Sequence, residues 1–375
     1  LKDAIYKIYC PIDDSGMKTS IPCVLMRSGT SRGPFFLSDW LPDDPQVRDR
    51  VLVSAIGSSD LTQINGLGGG TTLTSKVAIV SRSTRADCDV DYLFAQVGVG
   101  EHSVDTRPNC GNMLAGVAPF AIEQGLIEPL EGVTSVRVHN VNTGARIDVA
   151  VQTPGGHVNY EGDVRIDGVA DPAAPIYMSF LDAWGAVTGR LFPTGERINQ
   201  IDGVDVTCID AAMPMVLISA TSLGVTGSES ASQLDNTPGL LDRLERIRFQ
   251  AGRLMGLGDV SNSVLPKPVI VSPTEDNQSI NSRYFTPKRC HTSHAVTGAI
   301  GVATALALPG TVAHRHDMDV GTHNLRVLHP SGVIQIALEL GRRGDQLEVS
   351  RASVVRTARK IIQGNLEIPA RLWAN

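Results

Sequence analysis

A repeated pattern constrains this chain more than any other feature. The string RSGTSRG (27–33) returns as ISATSLG (218–224), and KVAIVS (76–81) returns as KPVIVS (267–272), both after 191 residues. A third pair, CGNMLAGVAPFA from Cys110 and AVTGAIGVATAL from Ala295, matches at a spacing of 185. Similarity repeated at nearly one spacing means two copies of one folding unit. Each copy is expected to begin with an apolar strand (IPCVLM; PMVLIS), a Gly/Ser/Thr turn and a helix (DPQVRDRVLVSAIG; LLDRLERIRFQAGRLMG). A second strand follows (KVAIV; KPVIV), and then a Gly- and Ala-rich helix without a polar face (GNMLAGVAPFAIEQG; TGAIGVATALAL). A helix apolar all round must be surrounded. The expected architecture is therefore α+β: two pseudo-symmetric domains, 1–190 and 191–375, each a β-barrel around a central helix. After the first such helix VTSVRVHNV, ARIDVAVQT and HVNYEGDVRIDG read as successive strands, and WGAVTGRLFPTGERINQ reads as the passage between the copies. Residues 1–16 have no counterpart and read as an upstream extension.

With 375 residues, 42% of them hydrophobic and 19% charged, the chain can bury two cores. A net charge of −6 provides no basic surface for phosphate backbones, so a small-molecule partner is expected and a nucleic acid is not. Cys10, Cys23, Cys88, Cys110, Cys208 and Cys290 lack CxxC spacing, which points away from a zinc ribbon or disulfide framework and toward a reducing, cytoplasmic setting. Charges interrupt LKDAIYKIYCPIDD where a signal peptide needs an apolar stretch, and no membrane span is expected.

Candidate chemistry centres on Cys110 and Lys76. Cys110 stands at the start of the first apolar helix, where unpaired amide N–H groups favour a thiolate and a carboxylate, and Gly111 lets the backbone approach closely. Lys76 enters an apolar strand from GLGGGTTLTS, and a lysine withdrawn from water becomes an acid or base usable near neutrality. On spacing alone, a packed cysteine and a strand-edge lysine remain open. Ala295 occupies the position of Cys110 in the second copy, so a cleft between the copies is chemically asymmetric. The run 66–70 (GLGGG) lacks the register of a nucleotide loop. His314, His316 and His323, with Cys290, His291 and His294, have ligand-like spacings that would suit a metal-dependent hydrolase. Arg27, Arg32, Lys288 and Arg289 are expected near the cleft rim, where arginines clamp carboxylates.

MRSGTSRG, GLGGGTTLTSKVAIV, NCGNMLAG, HAVTGAIG and LHPSG, in this order between Ile21 and Ile368, make the chain resemble the 2-methylaconitate isomerase family. Within it the chain is most similar to 4-oxalomesaconate isomerases (tautomerases) of aromatic-acid and lignin-derived aromatic degradation. The resemblance implies the diaminopimelate-epimerase-like fold and a reaction without metal or organic cofactor. Epimerases of that fold use two cysteines, and the isomerase branch uses one cysteine and one lysine, here Cys110 and Lys76. The implied substrate is a polycarboxylate carrying a methylene conjugated to a double bond, isomerised by 1,3-allylic proton transfer through a dienolate. Its carboxylates and developing charge are assigned to Ser28, Gly29 and Thr30, to Gly111, Asn112 and Met113, and to Ser293, Thr297 and Gly298, with Arg289, His329 and Ser331. Cys110 is expected as base and Lys76 as acid, the reverse remaining open. Keto–enol tautomerisation of 4-oxalomesaconate and 2-methylaconitate cis–trans isomerisation are the alternatives kept, and a homodimer is left open.

Overall fold

The computed structural model describes residues 20–373 apart from 182, 287 and 345. The 16-residue extension, with Cys10, lies outside them. The hairpin β1 (Ser20–Ser28) and β2 (Ser31–Leu37) leads through α1 (Pro45–Ile56) to β3 (Lys76–Arg82), β4 (Val90–Val97) and β5 (Val104–Asp105). Then come α2 (Gly111–Leu114), α3 (Val117–Glu123), β6 (Gly132–Asn140), β7 (Arg146–Thr153) and β8 (Ile176–Phe180). The later half contains β9 (Asn199–Ile201), β10 (Val204–Asp210), β11 (Pro214–Ser219), α4 (Ala231–Asp235), α5 (Leu240–Leu254), β12 (Lys267–Pro273), β13 (Ser279–Thr286) and β14 (Arg289–Cys290). It ends with α6 (Val296–Ala307), β15 (Gly321–His329), β16 (Gly332–Arg343), β17 (Gln346–Arg356) and β18 (Ala358–Glu367).

The same order of pairings occurs twice. β1–β2 is antiparallel, β2–β3 parallel, β3–β4 antiparallel and β4–β6 parallel, with β6, β7 and β8 antiparallel in turn. The later set repeats these relations as β10–β11, β11–β12, β12–β13, β13–β15 and β15–β16–β17. Two strands depart from sequential order: β17 also pairs with β8, and β18 runs antiparallel along all of β1, from Ser20↔Glu367 to Ser28↔Ala358. The last strand thus belongs to the sheet of the first copy.

Three details differ from the sequence reading. RSGTSRG forms the β1–β2 turn, whereas ISATSLG ends β11 and enters a 3-10 turn, so these similar strings are not equivalent. The counterpart of the Gly29 turn is the β10–β11 turn at Ala212, and both residues have positive φ, 54° and 60°. Small polar residues follow an apolar strand wherever the chain must turn, and this accounts for the misleading match. Second, the expected first central helix is two pieces, α2 and α3, broken at Ala115–Gly116. Pro119 has no amide to give the Ala115 carbonyl, and its ring crowds that carbonyl. α6 lacks proline and is continuous. Third, HVNYEGDVRIDG is no strand: within it only the Val164↔Ala173 bridge forms, and the strand completing the layer is β8.

Every residue of α6 is buried, as is α3 from Val117 to Ile122, and strands enclose both. Glycine permits this closeness: a Cβ on Gly298 would lie 2.6 Å from the Tyr284 ring. The helices share one apolar cluster with strands of both copies, while α1 and α5 pack in two outer clusters. Burying each Val, Leu or Ile there contributes about 1.5–3 kcal/mol. The expected α+β architecture of strands around central helices is the one observed.

The two helix starts meet at Gly111, where a Cβ would fall 2.8 Å from Val296 Cβ. Val296 has no room to shift, since it is fully buried. Gly111→Ala is expected to destabilise by about 1–3 kcal/mol through overpacking, read as a lower urea midpoint at unchanged m-value.

Candidate active site

Cys110 is the extended residue before α2 (φ −140°, ψ 103°), a residue 7% exposed. Its carbonyl accepts the Tyr92 hydroxyl at 3.1 Å. The β1–β2 turn rests on the following residue. Gly29 has φ +54°, and a Cβ there would lie 2.2 Å from Asn112 Oδ1. Ser28 Oγ donates to Asn112 O at 2.6 Å, Thr30 N donates to Asn112 Oδ1 at 3.3 Å, and Asn112 Nδ2 reaches His294 O at 3.4 Å. Asn112 thereby ties the first-copy turn to the entry of α6. The structure gathers Ser28, Gly29, Thr30, Gly111, Asn112, Met113, Thr297 and Gly298 around the meeting helix starts. Several of their polar groups already serve the protein, since Gly29 N donates to Thr357 O at 2.9 Å.

Lys76 opens β3 opposite Gln96. Its Nζ donates to Gln96 Oε1 at 2.8 Å and lies 5.1 Å from the Phe94 ring centre, so the side chain is packed and not at a wet strand edge. A Cβ on Gly33 would lie 1.8 Å from Lys76 O and 3.2 Å from Met113 Cε, which places this strand start against the first turn of α2.

The sequence reading missed Lys267. It opens β12 as Lys76 opens β3 and is 5% exposed. Burial, then the nearby charge of Lys76, pushes it down to about 7, with Asp105 and Cys110 pulling the other way. Its signal was present in KPVIVS, read only as the echo of KVAIVS.

Three buried imidazoles continue the site. Burial pushes His291, His294 and His329 each down to about 3, with Lys76 the next cause at His291 and Arg356 the next at His329. All three are neutral at pH 7. His291 Nδ1 accepts Ser293 N–H at 3.0 Å and His329 Nδ1 accepts Ser331 N–H at 3.2 Å, so both carry their proton on Nε2. His294 is the opposite tautomer, because Nδ1 faces the Ala295 carbonyl at 2.8 Å and Nε2 faces Ser282 Oγ. Ser331 Oγ donates to Thr292 O, joining the two His-x-Ser loops. Ser293 lies near Thr30 across Gly168, whose Cβ would be 3.2 Å from Thr30 Cγ2 and 3.4 Å from Ser293 Oγ.

Other candidates fall elsewhere. Arg289 is exposed on β14, paired with Thr286, and Lys288 beside it is exposed too. Arg27 Nη1 donates to Gly29 O and Thr357 O, and Arg32 Nη2 donates to Leu67 O and Gly68 O, so both brace loops. The glycine run packs on the end of α1, Gly66 Cβ lying 2.3 Å from Gly57 N if built. His314 contacts Leu306 O and Asp317, His323 contacts Asp319 O, and His316 is exposed. Among the described residues no three His, Cys, Asp or Glu side chains converge as a metal site would need. Burial pushes the Cys290 thiol up to about 12, far from a thiolate. Among the described residues no helix is long and apolar enough to cross a membrane.

The family model described as PrpF protein matches residues 18–369. YbhH of Escherichia coli (strain K12) is 53% identical over 93% of this chain and 99% of that protein. The 4-oxalomesaconate tautomerase of Pseudomonas putida is 47% identical over 95% of this chain and 98% of its own length. The crystal structure of a methylitaconate-delta-isomerase superposes with a TM-score of 0.75 at 34% identity, covering 95% of this chain and 97% of that one. A hydroxyproline epimerase from Agrobacterium vitis, 13% identical with a TM-score of 0.54, shares the fold.

The depressed basic groups set the pH dependence of stability. Between pH 3 and 6.5 the unfolded chain binds protons that the folded imidazoles refuse, so stability falls as pH drops through that window. Between pH 7 and 10.5 Lys267 acts likewise, its penalty fully present below 7. Tm is expected to rise from pH 4 to 7. Lys267→Met is expected to raise unfolding free energy by about 1–4 kcal/mol at pH 7 and by less at pH 10, measured by urea titration.

Proposed function

This chain belongs to the PrpF protein family and is an isomerase, and we propose that it moves a proton along 4-oxalomesaconate, shifting the carbon–carbon double bond by a 1,3-allylic transfer. What supports this reading is Cys110 before α2 and Lys76 at the start of β3, both of whose charges are felt at the buried Lys267, with Ala295 where a second thiol would stand. Two different groups suit two different carbons. The thiolate of Cys110 takes a proton from the methylene beside the oxo group, and the electron pair delocalises through the double bond as a dienolate. Lys76 delivers a proton to the far alkene carbon. One C–H bond breaks, one forms, and no electrons leave the substrate. This reading needs no metal and no organic cofactor. Lys76 and Arg356 bring buried cations into a chain of net negative charge, which suits a polycarboxylate carrying developing enolate charge.

Support for the substrate comes from the tautomerase of P. putida, and support for double-bond migration comes from the delta-isomerase structure. In this reading the reaction serves the breakdown of lignin-derived aromatic acids in the cytoplasm, a setting that fits five free, buried cysteines among the described residues.

Proton NMR in heavy water tests the reading. Allylic transfer places deuterium in a new methylene and relocates the double bond, whereas keto–enol exchange alone leaves the double bond in place and overturns the proposal. Lys76→Met and Cys110→Ser are each expected to lower kcat by about 10²–10⁴-fold. Lys76→Met should keep deuterium exchange at the carbon served by Cys110, and Cys110→Ser should lose it there. Loss at one shared carbon in both variants would show that one residue only orients the other.

A further inference from the structure

Arg356, the last residue of β17, is 4% exposed and forms no ion pair among the described residues. Its Nη1 donates to Val355 O at 2.9 Å, and its Nε has no partner. Asp167 is the nearby carboxylate, but its Oδ2 already receives Val333 N at 2.6 Å. A buried guanidinium with no carboxylate in hydrogen-bond contact is unfavourable, and a folded chain rarely keeps one without a use.

The surrounding polar atoms are unsatisfied in the same way. His329 Nε2, Ser293 Oγ, Thr30 Oγ1 and Thr357 Oγ1 are all buried without hydrogen-bond partners. They belong to one neighbourhood. Thr357 O holds Gly29 N, beside Thr30; Thr30 and Ser293 flank Gly168; and the charge of Arg356 is felt at His329 and His294. The tautomer fixed by Ser331 N–H makes His329 Nε2 a donor. An arginine N–H, an imidazole N–H and hydroxyls are thus gathered without hydrogen-bond partners, and an anion would satisfy all of them.

We propose that Arg356, His329, Ser293 and Thr30 form a second anion subsite, which takes a substrate carboxylate remote from the carbons served by Lys76 and Cys110. The identity of the acid rests on the isomerase reading, but the subsite does not. His291 connects the two ends, since it feels Lys76 and Lys267 on one side and His294 and His329 on the other. Burial also pushes Arg356 down to about 10, with Asp167 pulling the other way. The subsite selects acids by the number and spacing of their carboxylates, while the reacting pair is indifferent to the far one.

Calorimetric titration with two inert probes, tricarballylate and glutarate, tests this on the full chain. The native protein is expected to prefer tricarballylate by tenfold or more. Arg356→Met should abolish that preference while leaving glutarate binding within twofold, and Arg356→Lys should restore part of it. In turnover, Arg356→Met should raise KM at least tenfold with a smaller change in kcat. A folded Arg356→Met protein that keeps the preference overturns the proposal. Should that variant not fold, Ser293→Ala keeps the charge and removes one hydroxyl: a three- to tenfold loss for tricarballylate alone supports the subsite, and unchanged binding overturns it. An Arg356-dependent preference in a chain that does not isomerise 4-oxalomesaconate sinks the substrate and keeps the subsite; isomerisation without that preference sinks only the subsite.

Discussion

Two helices begin at the same place, and most of the site follows from that contact. Because Gly111 has no side chain, α2 and α6 can bring their first turns together, and Val296 fills the space a Cβ would need. Around this point Asn112 links the Gly29 turn to the His294 carbonyl, so the two copies are joined by hydrogen bonds as well as by apolar packing. A single buried centre results, supplied from both halves of the chain. Neither half contains Cys110, Lys76, Lys267 and the three imidazoles together.

That centre is held by burial of bases in uncharged or unpaired form. Three histidines at about 3 and a lysine at about 7 mean that desolvation has overridden their ordinary protonation. The two His-x-Ser loops turn this into direction: a backbone N–H two residues on occupies Nδ1 and leaves Nε2–H as a donor. Neutral donors fixed by their own backbone need no reorientation when charge develops nearby, which is how preorganised sites lower barriers.

The sequence carried the architecture in its periodicity. Apolar strands, the capped α1 that starts at Asp44–Pro45 and ends at Gly57, and helices without polar faces were all legible, because each depends on local spacing. Pro119 also stood in plain view, but its effect on the helix depends on which carbonyl it faces. The placement of Lys76 at a strand start and of Cys110 before a buried helix was legible through their neighbours in the chain. Lys267 and Arg356 were not, because an isolated cation in an apolar strand looks the same whether it escapes to solvent or stays inside. Only the surrounding strands decide that. Arg289, expected at the cleft rim, stands exposed on a two-residue strand.

The return of β18 to pair along β1 joins residues separated by more than 300 positions, Ser20 to Glu367. A chain emerging N-terminus first must hold β1 with one edge bare until β18 has been made, and an uncovered edge strand invites pairing with other chains. The barrel that is first in sequence is therefore the last to be closed. Its integrity depends on β18, so losing that strand strikes the half that carries Cys110 and Lys76.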